Sequence, residues 1–522
     1  MISERKHITL AFSLLMLALS AVLYALAFPN PAAPRGFPPA MWAAYLPLFI
    51  VTGRAGWKYQ GLFGVVFGAL SITLHNYWLS AFHPLAGVIA ALLFALYYAL
   101  FFHVLKAAAL LLPRACALVQ TGLFAGFEYL RTLGFAGYSY GITGYSQWTL
   151  PPLIQAASVA GVWAVSALVI FPQAYIAQLI IRKKLTVAPL ALWALCFGAA
   201  MVYAAFTLQD NDKSGARLVK VALIQPSSNP WKSDLAEFRK ELEVLKRLSD
   251  MALSEEPPPE IVVWPETAFV PSFAYHEKYR VDADVYALVR EAREYLASKK
   301  ETAFVLGNNE GVRVAGPDGK EETLSYNAVL TFEDGRFTGR YYKQHLVPFT
   351  ETFPFKEELP RMYDFLSKQD THFWEKGNEA SVLSAADVRI CTPVCFEDTF
   401  GGEARLFVLR GAQLIVNVSN DSWAHSLTAQ RQHLMCAVLR AVETGRGVVR
   451  ATASGQTCAI LPSGVILNEA PPFTETVLSA VLPVSDAETL YTRFGDYLPK
   501  LLLILSGLTL AAALIRNLTK QK

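Results

Sequence analysis

The chain has 522 residues, a formal net charge of +3, 53% hydrophobic and only 17% charged residues. Soluble proteins carry about 25% charged residues, so a wholly soluble protein is excluded, and the near-balanced charge offers no electrostatic footprint for nucleic acid. The six cysteines, at 116, 196, 391, 395, 436 and 458, form no CxxC pair and no zinc-type spacing.

The charge shortfall lies at the two ends of the chain. Ile8–Phe28 is an uncharged apolar run, and a helix needs roughly 20 such residues to cross a bilayer core. Lys6 before it and Ala25-Leu26-Ala27 within it imitate a cleavable signal. The apolar region of such signals is only about 7–15 residues long, so this run is expected to remain as a first span. Further spans are expected at Phe37–Gly53, Gly61–Phe82, Leu85–Leu105, Ala115–Leu130, Leu153–Ile181, Leu185–Phe206 and Leu498–Ile515, which completes a set of eight.

Short-loop charges alternate along this set. Arg5 and Lys6, Arg54 and Lys58, Arg114, Arg182 to Lys184, and Lys520 with Lys522 fall on one side, and the other loops carry little. Basic loops stay in the cytoplasm, so both termini are expected there and the long insert between spans seven and eight on the opposite side. Glu128 is costly in a bilayer and is expected to face the bundle interior, with Arg131 three residues on as an available partner. The Gly-Tyr-rich stretch from Gly134 to Gln147 is expected to form a loop at the outer interface.

Residues 217–485 have the charge density of a soluble domain. Strands are expected at Leu218–Gln225, Glu260–Trp264, Ala303–Gly307, Ala328–Phe332, Val388–Cys395 and Leu414–Val418. Helical periodicity marks Ala236–Leu253, Val285–Ser298 and Leu427–Glu443. Strands alternating with helices predict an α/β domain with its site at strand ends. The expected division is 1–206 as the transmembrane bundle, 207–216 as a linker, 217–485 as the extracytoplasmic domain, and 486–522 as the last span and cytoplasmic tail.

Three short sequences stand at strand ends: Trp264-Pro265-Glu266-Thr267, Tyr342-Lys343-Gln344-His345-Leu346-Val347-Pro348-Phe349, and Pro393-Val394-Cys395-Phe396-Glu397-Asp398. Alone, each is ordinary: a Lys among aromatics can lay its stem on apolar surface, and a strand Cys is commonly inert core. Together, in this chain order, they resemble the nitrilase superfamily. With Asn417-Val418-Ser419-Asn420-Asp421-Ser422-Trp423 and Gln432-His433-Leu434 through Arg440-Ala441-Val442-Glu443-Thr444-Gly445-Arg446, they resemble its membrane-embedded branch, the apolipoprotein N-acyltransferase family. Thr350, Phe396 and Ala453-Ser454 depart from that family's usual Gly, Tyr and Asn-Asn.

The resemblance implies an αββα sandwich inserted into an eight-helix bundle in the bacterial inner membrane. It implies Cys395 as nucleophile, Glu266 as base and Lys343 as the positive charge beside them. Glu351, Glu397 and Asn327 would support these three. Trp231, Trp264, Phe349, Phe396, Ser419, Asn420 and Trp423 would contact substrate. It further implies a phospholipid acyl donor, a thioester on Cys395 and a diacylglyceryl-apolipoprotein amine as acceptor, with no cofactor or metal. His345, His372, His425 and His433 show no metal-ligand spacing. The aromatic stretches Phe269–Tyr279 and Phe349–Phe365 suit a lipid-facing surface. Cys391 is expected to be core, because four residues along one strand span roughly 13 Å, too far for a bridge to Cys395. Two other readings fit part of the pattern. A membrane-tethered amidase hydrolase would pass the acyl group to water, and a transporter would use Glu128, His75 and Asn76 at its midplane.

Overall fold

The structure, a computed structural model, describes residues 9–520 except 83, 211–216, 229–233, 316–320, 354, 368–372 and 423–424. Trp231, Trp423 and His372 therefore lie outside the described residues. The chain divides into two compact units. The first draws on Met1–Lys213, Ser426–Leu439 and Arg493–Lys522, and the second on Ser214–His425 and Arg440–Thr492.

The first unit is helical. Among the described residues, five helices are long and apolar enough to cross a membrane: Leu10–Ala27, Leu85–Leu111, Val162–Arg182, Val187–Gln209 and Tyr497–Thr519. Eight were expected, and the other three are shorter. The second expected span breaks into Pro38–Ala44 and Leu46–Arg54, each with proline in its first turn, where the missing N–H costs nothing but the preceding helix must stop. The third runs Gln60–His75 and ends at Asn76, whose side chain is drawn into other bonds. The fifth is the 15-residue helix Cys116–Leu130.

Packing in this unit depends on small residues, because lipid gives little hydrophobic drive for helix association. A Cβ on Gly64 would run into the backbone of Tyr98 and Ala99, and one on Gly68 into that of Phe94. Helix Cys116–Leu130 meets the last helix the same way. A Cβ on Gly126 would lie 2.7 Å from the Leu503 Cβ, and one on Gly122 would meet Ser506.

The stretch after Glu128 is largely enclosed by protein. Gly134–Ala136 is exposed, but every residue from Ser139 to Trp148 is buried. Thr143–Gln147 forms a 3-10 turn. Non-helical backbone enclosed among apolar helices needs its polar groups satisfied by protein or water, and here side chains do so. Glu128 Oε1 accepts from the Thr143 N–H at 2.8 Å and from its hydroxyl at 2.5 Å. The Gly144 N–H donates to Ser166 Oγ at 2.9 Å, and Tyr24 donates to the Gly141 carbonyl at 2.6 Å. Glu128 thus faces inward as expected, but Arg131 is not its hydrogen-bond partner. Arg131 donates to the Tyr140 carbonyl at 2.9 Å instead.

Gln432 saturates its amide in the same unit. It accepts from Asn76 Nδ2 (3.1 Å) and Trp78 Nε1 (2.9 Å), and donates to the carbonyls of Pro29 (3.0 Å) and His75 (2.9 Å).

Among its described residues the second unit holds twelve strands: β1 Leu218–Gln225, β2 Ile261–Phe269, β3 Ala303–Ala315, β4 Glu321–Glu333, β5 Arg336–Tyr342, β6 Leu383–Ala385, β7 Val388–Cys391, β8 Leu414–Ser419, β9 Gly447–Thr452, β10 Cys458–Ile460, β11 Ile466–Glu469 and β12 Thr476–Pro483. They make two six-stranded sheets, β12-β1-β2-β3-β4-β5 and β11-β10-β9-β8-β7-β6. β1-β2-β3 and β7-β8-β9 are parallel, and parallel neighbours need long crossovers. Leu235–Leu253 and Ala283–Ser298 supply two of them, each capped by an aspartate, Asp234 and Asp282. Their apolar faces (Leu242, Leu245, Leu248, Leu288, Val289, Ala292) pack into one core with Ala222, Val262, Phe304 and Leu330 of the first sheet. The strand expected at Val388–Cys395 stops at Cys391. Pro393 interrupts it, and Cys395 opens a 3-10 turn, Cys395–Thr399.

Gly64→Ala should destabilise the protein in detergent by about 1–3 kcal/mol, as overpacking does. Gly198→Ala, where a Cβ meets nothing within 4 Å, should change stability by less than about 1 kcal/mol. Thermal unfolding of the two variants checks this, and equal effects would contradict the packing argument.

Candidate active site

Glu266 sits on a bulge. Trp264 pairs with Leu306 and Phe269 with Asn308, so four residues of β2 bow out opposite Gly307 alone. Pro265, which lacks an N–H, fits such a break in the ladder. A Cβ on Gly307 would collide with the backbone of Pro265, Glu266 and Thr267, so glycine there lets the bulge lie flat against β3. Thr267 takes a left-handed φ of 46°. Trp264, expected at a pocket wall, instead enters the core, with its Nε1 on Ser249 Oγ at 2.9 Å.

Lys343 follows β5 and is fully buried. Its Nζ lies 2.7 Å from Glu351 Oε1 and 3.5 Å from Glu266 Oε1. Glu351 is itself held by the Val347 N–H at 2.8 Å. Glu266 receives two more donors, Asn327 Nδ2 at 2.7 Å on Oε1 and the Asn420 N–H at 2.7 Å on Oε2. Asn327 comes from β4 and Asn420 from the end of β8, so three separate chain segments converge on one carboxylate.

Cys395 begins its turn at a left-handed φ of 51°. For a non-glycine residue this is a strained conformation that surroundings must enforce, and such residues gather at functional sites. The residue is half-buried, unlike the fully buried Cys391, Cys436 and Cys458. The turn is anchored by Glu397. Its Oε1 accepts from Tyr341 Oη (2.8 Å) and from the N–H groups of Gln344 (2.6 Å) and His345 (2.9 Å), while Oε2 accepts from Val394 N–H (2.7 Å). One carboxylate thereby ties the Lys343 loop to the Cys395 turn.

Electrostatics differ among the three groups. Burial pushes the Cys395 thiol well above its usual range, Glu266 pushes the same way, and Lys343 opposes them. Burial also raises Glu266, against Lys343. For Lys343, burial works against the ammonium, but Glu351, Glu266 and Cys395 together hold it charged. The thiol at rest is protonated, and a base beside it is required before sulfur can attack. Burial, then Glu403, lifts Glu397 to about 7 in spite of its N–H donors.

Other expected residues are less central. Ser419 donates to Asn417 Oδ1 at 2.9 Å, and Asn417 reaches the carbonyls of Pro393 (3.1 Å) and Cys395 (3.4 Å). Phe396 lies edge-on to His345 and Phe400. Of the two aromatic stretches, Phe269 and Phe273 belong to the core. Phe353 is buried, while Phe349, Phe355, Met362 and Phe365 are exposed. Tyr341 is a contributor that sequence reading passed over. Strand alternation turns it inward beside exposed Arg340, and a buried tyrosine hydroxyl needs a partner.

Glu397→Gln should destabilise the fold by about 1–3 kcal/mol and lower activity. An amide NH₂ has no lone pair for the Val394 N–H, and a buried donor left unmet costs that much. Chemical denaturation alongside a turnover assay checks it.

Residues 220–491 match the family model described as carbon-nitrogen hydrolase. Residues 20–175 match the model for the apolipoprotein N-acyltransferase N-terminal domain. The chain is 40% identical to apolipoprotein N-acyltransferase 1 of Treponema denticola over 99% of each chain. It is 40% identical to apolipoprotein N-acyltransferase 1 of Treponema pallidum, covering 97% of this chain and 96% of that one. It is 27% identical to the apolipoprotein N-acyltransferase of Borreliella burgdorferi, over 92% and 91%. The two family models and the 40% identity along nearly the whole length agree, and the chain belongs to the apolipoprotein N-acyltransferase family.

Proposed function

We propose that this enzyme moves an acyl chain from a membrane phospholipid to the α-amine of a diacylglyceryl-cysteine at a lipoprotein N-terminus, through a thioester on Cys395. The observation that carries the proposal is the placement of Lys343 Nζ between Glu351 and Glu266, beside a strained, half-buried cysteine. The names of the relatives support the acceptor class, an apolipoprotein, and the phospholipid donor is this proposal's own.

In the first half-reaction Glu266 takes the thiol proton as sulfur attacks the ester carbonyl. The oxygen that becomes negative is stabilised by the fixed Lys343 charge, and such preorganised donors contribute a few kcal/mol each. The intermediate collapses by breaking the C–O bond. Glu266 returns its proton to the departing glycerol oxygen, leaving a thioester and a lysophospholipid. In the second half the amine attacks the thioester, Glu266 accepts the amine proton, and the sulfur leaves and is reprotonated. An α-amine titrates near roughly 7.7–8.0, so part of it is neutral and nucleophilic when a lysine side chain, near about 10.4, is not. Two products in two steps make the kinetics ping-pong. No observation favours delivery to water.

The orientation follows from the short-loop charges: both termini in the cytoplasm and residues 217–485 on the far side of the inner membrane. Lipid donors and lipoprotein acceptors are then both within reach of the site. Cysteine-labelling near residue 290 in intact cells should report an extracytoplasmic position, and a cytoplasmic one would overturn the orientation.

Mass spectrometry of enzyme exposed to phospholipid alone should find an acyl mass on the Cys395 peptide, absent in Cys395→Ser. Unlabelled wild-type peptide together with turnover would sink the thioester. Glu266→Gln should cut kcat by roughly 10²–10⁴, the usual contribution of a general base. Because Glu266 must be ionised and its pKa is raised, kcat/KM should fall as pH drops through a value above the ordinary glutamate range near about 4.3. An acid limb at or below that range would contradict the assignment.

A further inference from the structure

Behind the nucleophile turn lies an ionic cluster that the mechanism above does not use. Arg450, on β9, is fully buried. Its Nη1 is paired with Asp398 Oδ2, and its Nη2 lies 3.4 Å from Asp421 Oδ2. Both aspartates are buried as well, at 1% and 3% exposure.

The two aspartates sit on different carrier segments. Asp398 is three residues beyond Cys395 in the same 3-10 turn. Asp421 directly follows Asn420, whose N–H holds Glu266 Oε2 at 2.7 Å. One guanidinium therefore joins the segment bearing the nucleophile to the segment that fixes the base. We infer that Arg450 is a positioning residue that sets Cys395 and Glu266 at reacting distance. The inference rests on the reading of those two residues given above.

Three features favour this over simple charge burial. Two ionised carboxylates in one buried site call for a cation between them, and a planar guanidinium can bind both at once where a lysine ammonium acts as a point charge. The link is separate from the Glu397 anchor, which ties the Cys395 turn to the Lys343 loop and does not reach Asn420. Finally, Gly455 is fitted to the cluster: a Cβ there would lie 2.7 Å from both Asp421 Cβ and Oδ2. The chain after β9 thus closes directly over that aspartate.

The test uses the full-length enzyme in detergent, comparing wild type, Arg450→Lys and Asp421→Asn. Folded fraction is measured by gel filtration and thermal unfolding, and all rates are expressed per folded molecule. With phospholipid alone, the rate of acyl loading on Cys395 should fall roughly 10–100-fold in Arg450→Lys, the scale of a small misplacement between reacting groups. KM for the phospholipid should stay within about twofold, because bound substrate is not touched. Asp421→Asn, which keeps its hydrogen-bonding shape but loses its charge, should move loading in the same direction by a smaller factor. Wild-type loading rates per folded molecule in both variants would overturn the inference and reduce Arg450 to a folding element. A loss confined to KM would overturn it as well. Absence of any acyl group on wild-type Cys395 would instead overturn the nucleophile assignment itself.

Discussion

The second unit is organised around one buried amine. Lys343 has no solvent contact, and an isolated ammonium so placed would lose its charge. It stays charged because Glu351 stands at 2.7 Å and Glu266 at 3.5 Å. That requirement dictates much of the local architecture. Both carboxylates need further donors, so Val347, Asn327 and Asn420 are drawn in. The bulge on β2 must lie close to β3, so position 307 must be glycine. Once assembled, the cluster sets a buried carboxylate and a fixed positive charge near the Cys395 thiol, the two groups that the proposed reaction requires.

The same constraint acts in the helical unit with a different solvent. Lipid offers no hydrogen bonds, and the non-helical stretch Ser139–Trp148 is satisfied by side chains from the helices around it. Glu128, which looked from its position like the partner of Arg131, is used to hold the backbone and hydroxyl of Thr143. In both units a buried carboxylate fixes irregular chain, through Thr143 in one and through Gln344, His345 and Val394 in the other.

Relatedness to apolipoprotein N-acyltransferases and the chemistry of the site bear on each other. A nitrilase-type cluster would suit many acyl transfers. An apolar helical unit favours substrates in or at a membrane, and the proposed thioester requires an acceptor amine that outcompetes water. The departures at Thr350, Phe396 and Ala453-Ser454 leave the Glu266, Lys343 and Cys395 positions intact. Phe396 packs against His345 and Phe400 rather than entering the carboxylate network.

The sequence by itself determined the class of each part. Apolar runs, the strand Leu218–Gln225, the strand at Leu414–Val418 to within one residue, the amphipathic crossover helices, and the short sequences around Glu266, Lys343 and Cys395 were legible, because each depends on local periodicity or on a short motif. Other features were not. β5, β6 and β9 to β12 were not legible: β9 and β10 are buried along their whole length and show no alternation, β6 has only three residues, and β5 and β11 are mostly exposed and present no apolar face. Trp264 was taken for a pocket wall, and only the packing of Leu235–Leu253 against the first sheet puts it in the core. The stop of β7 at Cys391, the left-handed turn at Cys395, the inward path of Ser139–Trp148 and the convergence of Asp398, Arg450 and Asp421 all required the tertiary structure. Hydrogen bonds and ion pairs between segments far apart in the chain decide these features, and no window along the sequence contains both partners.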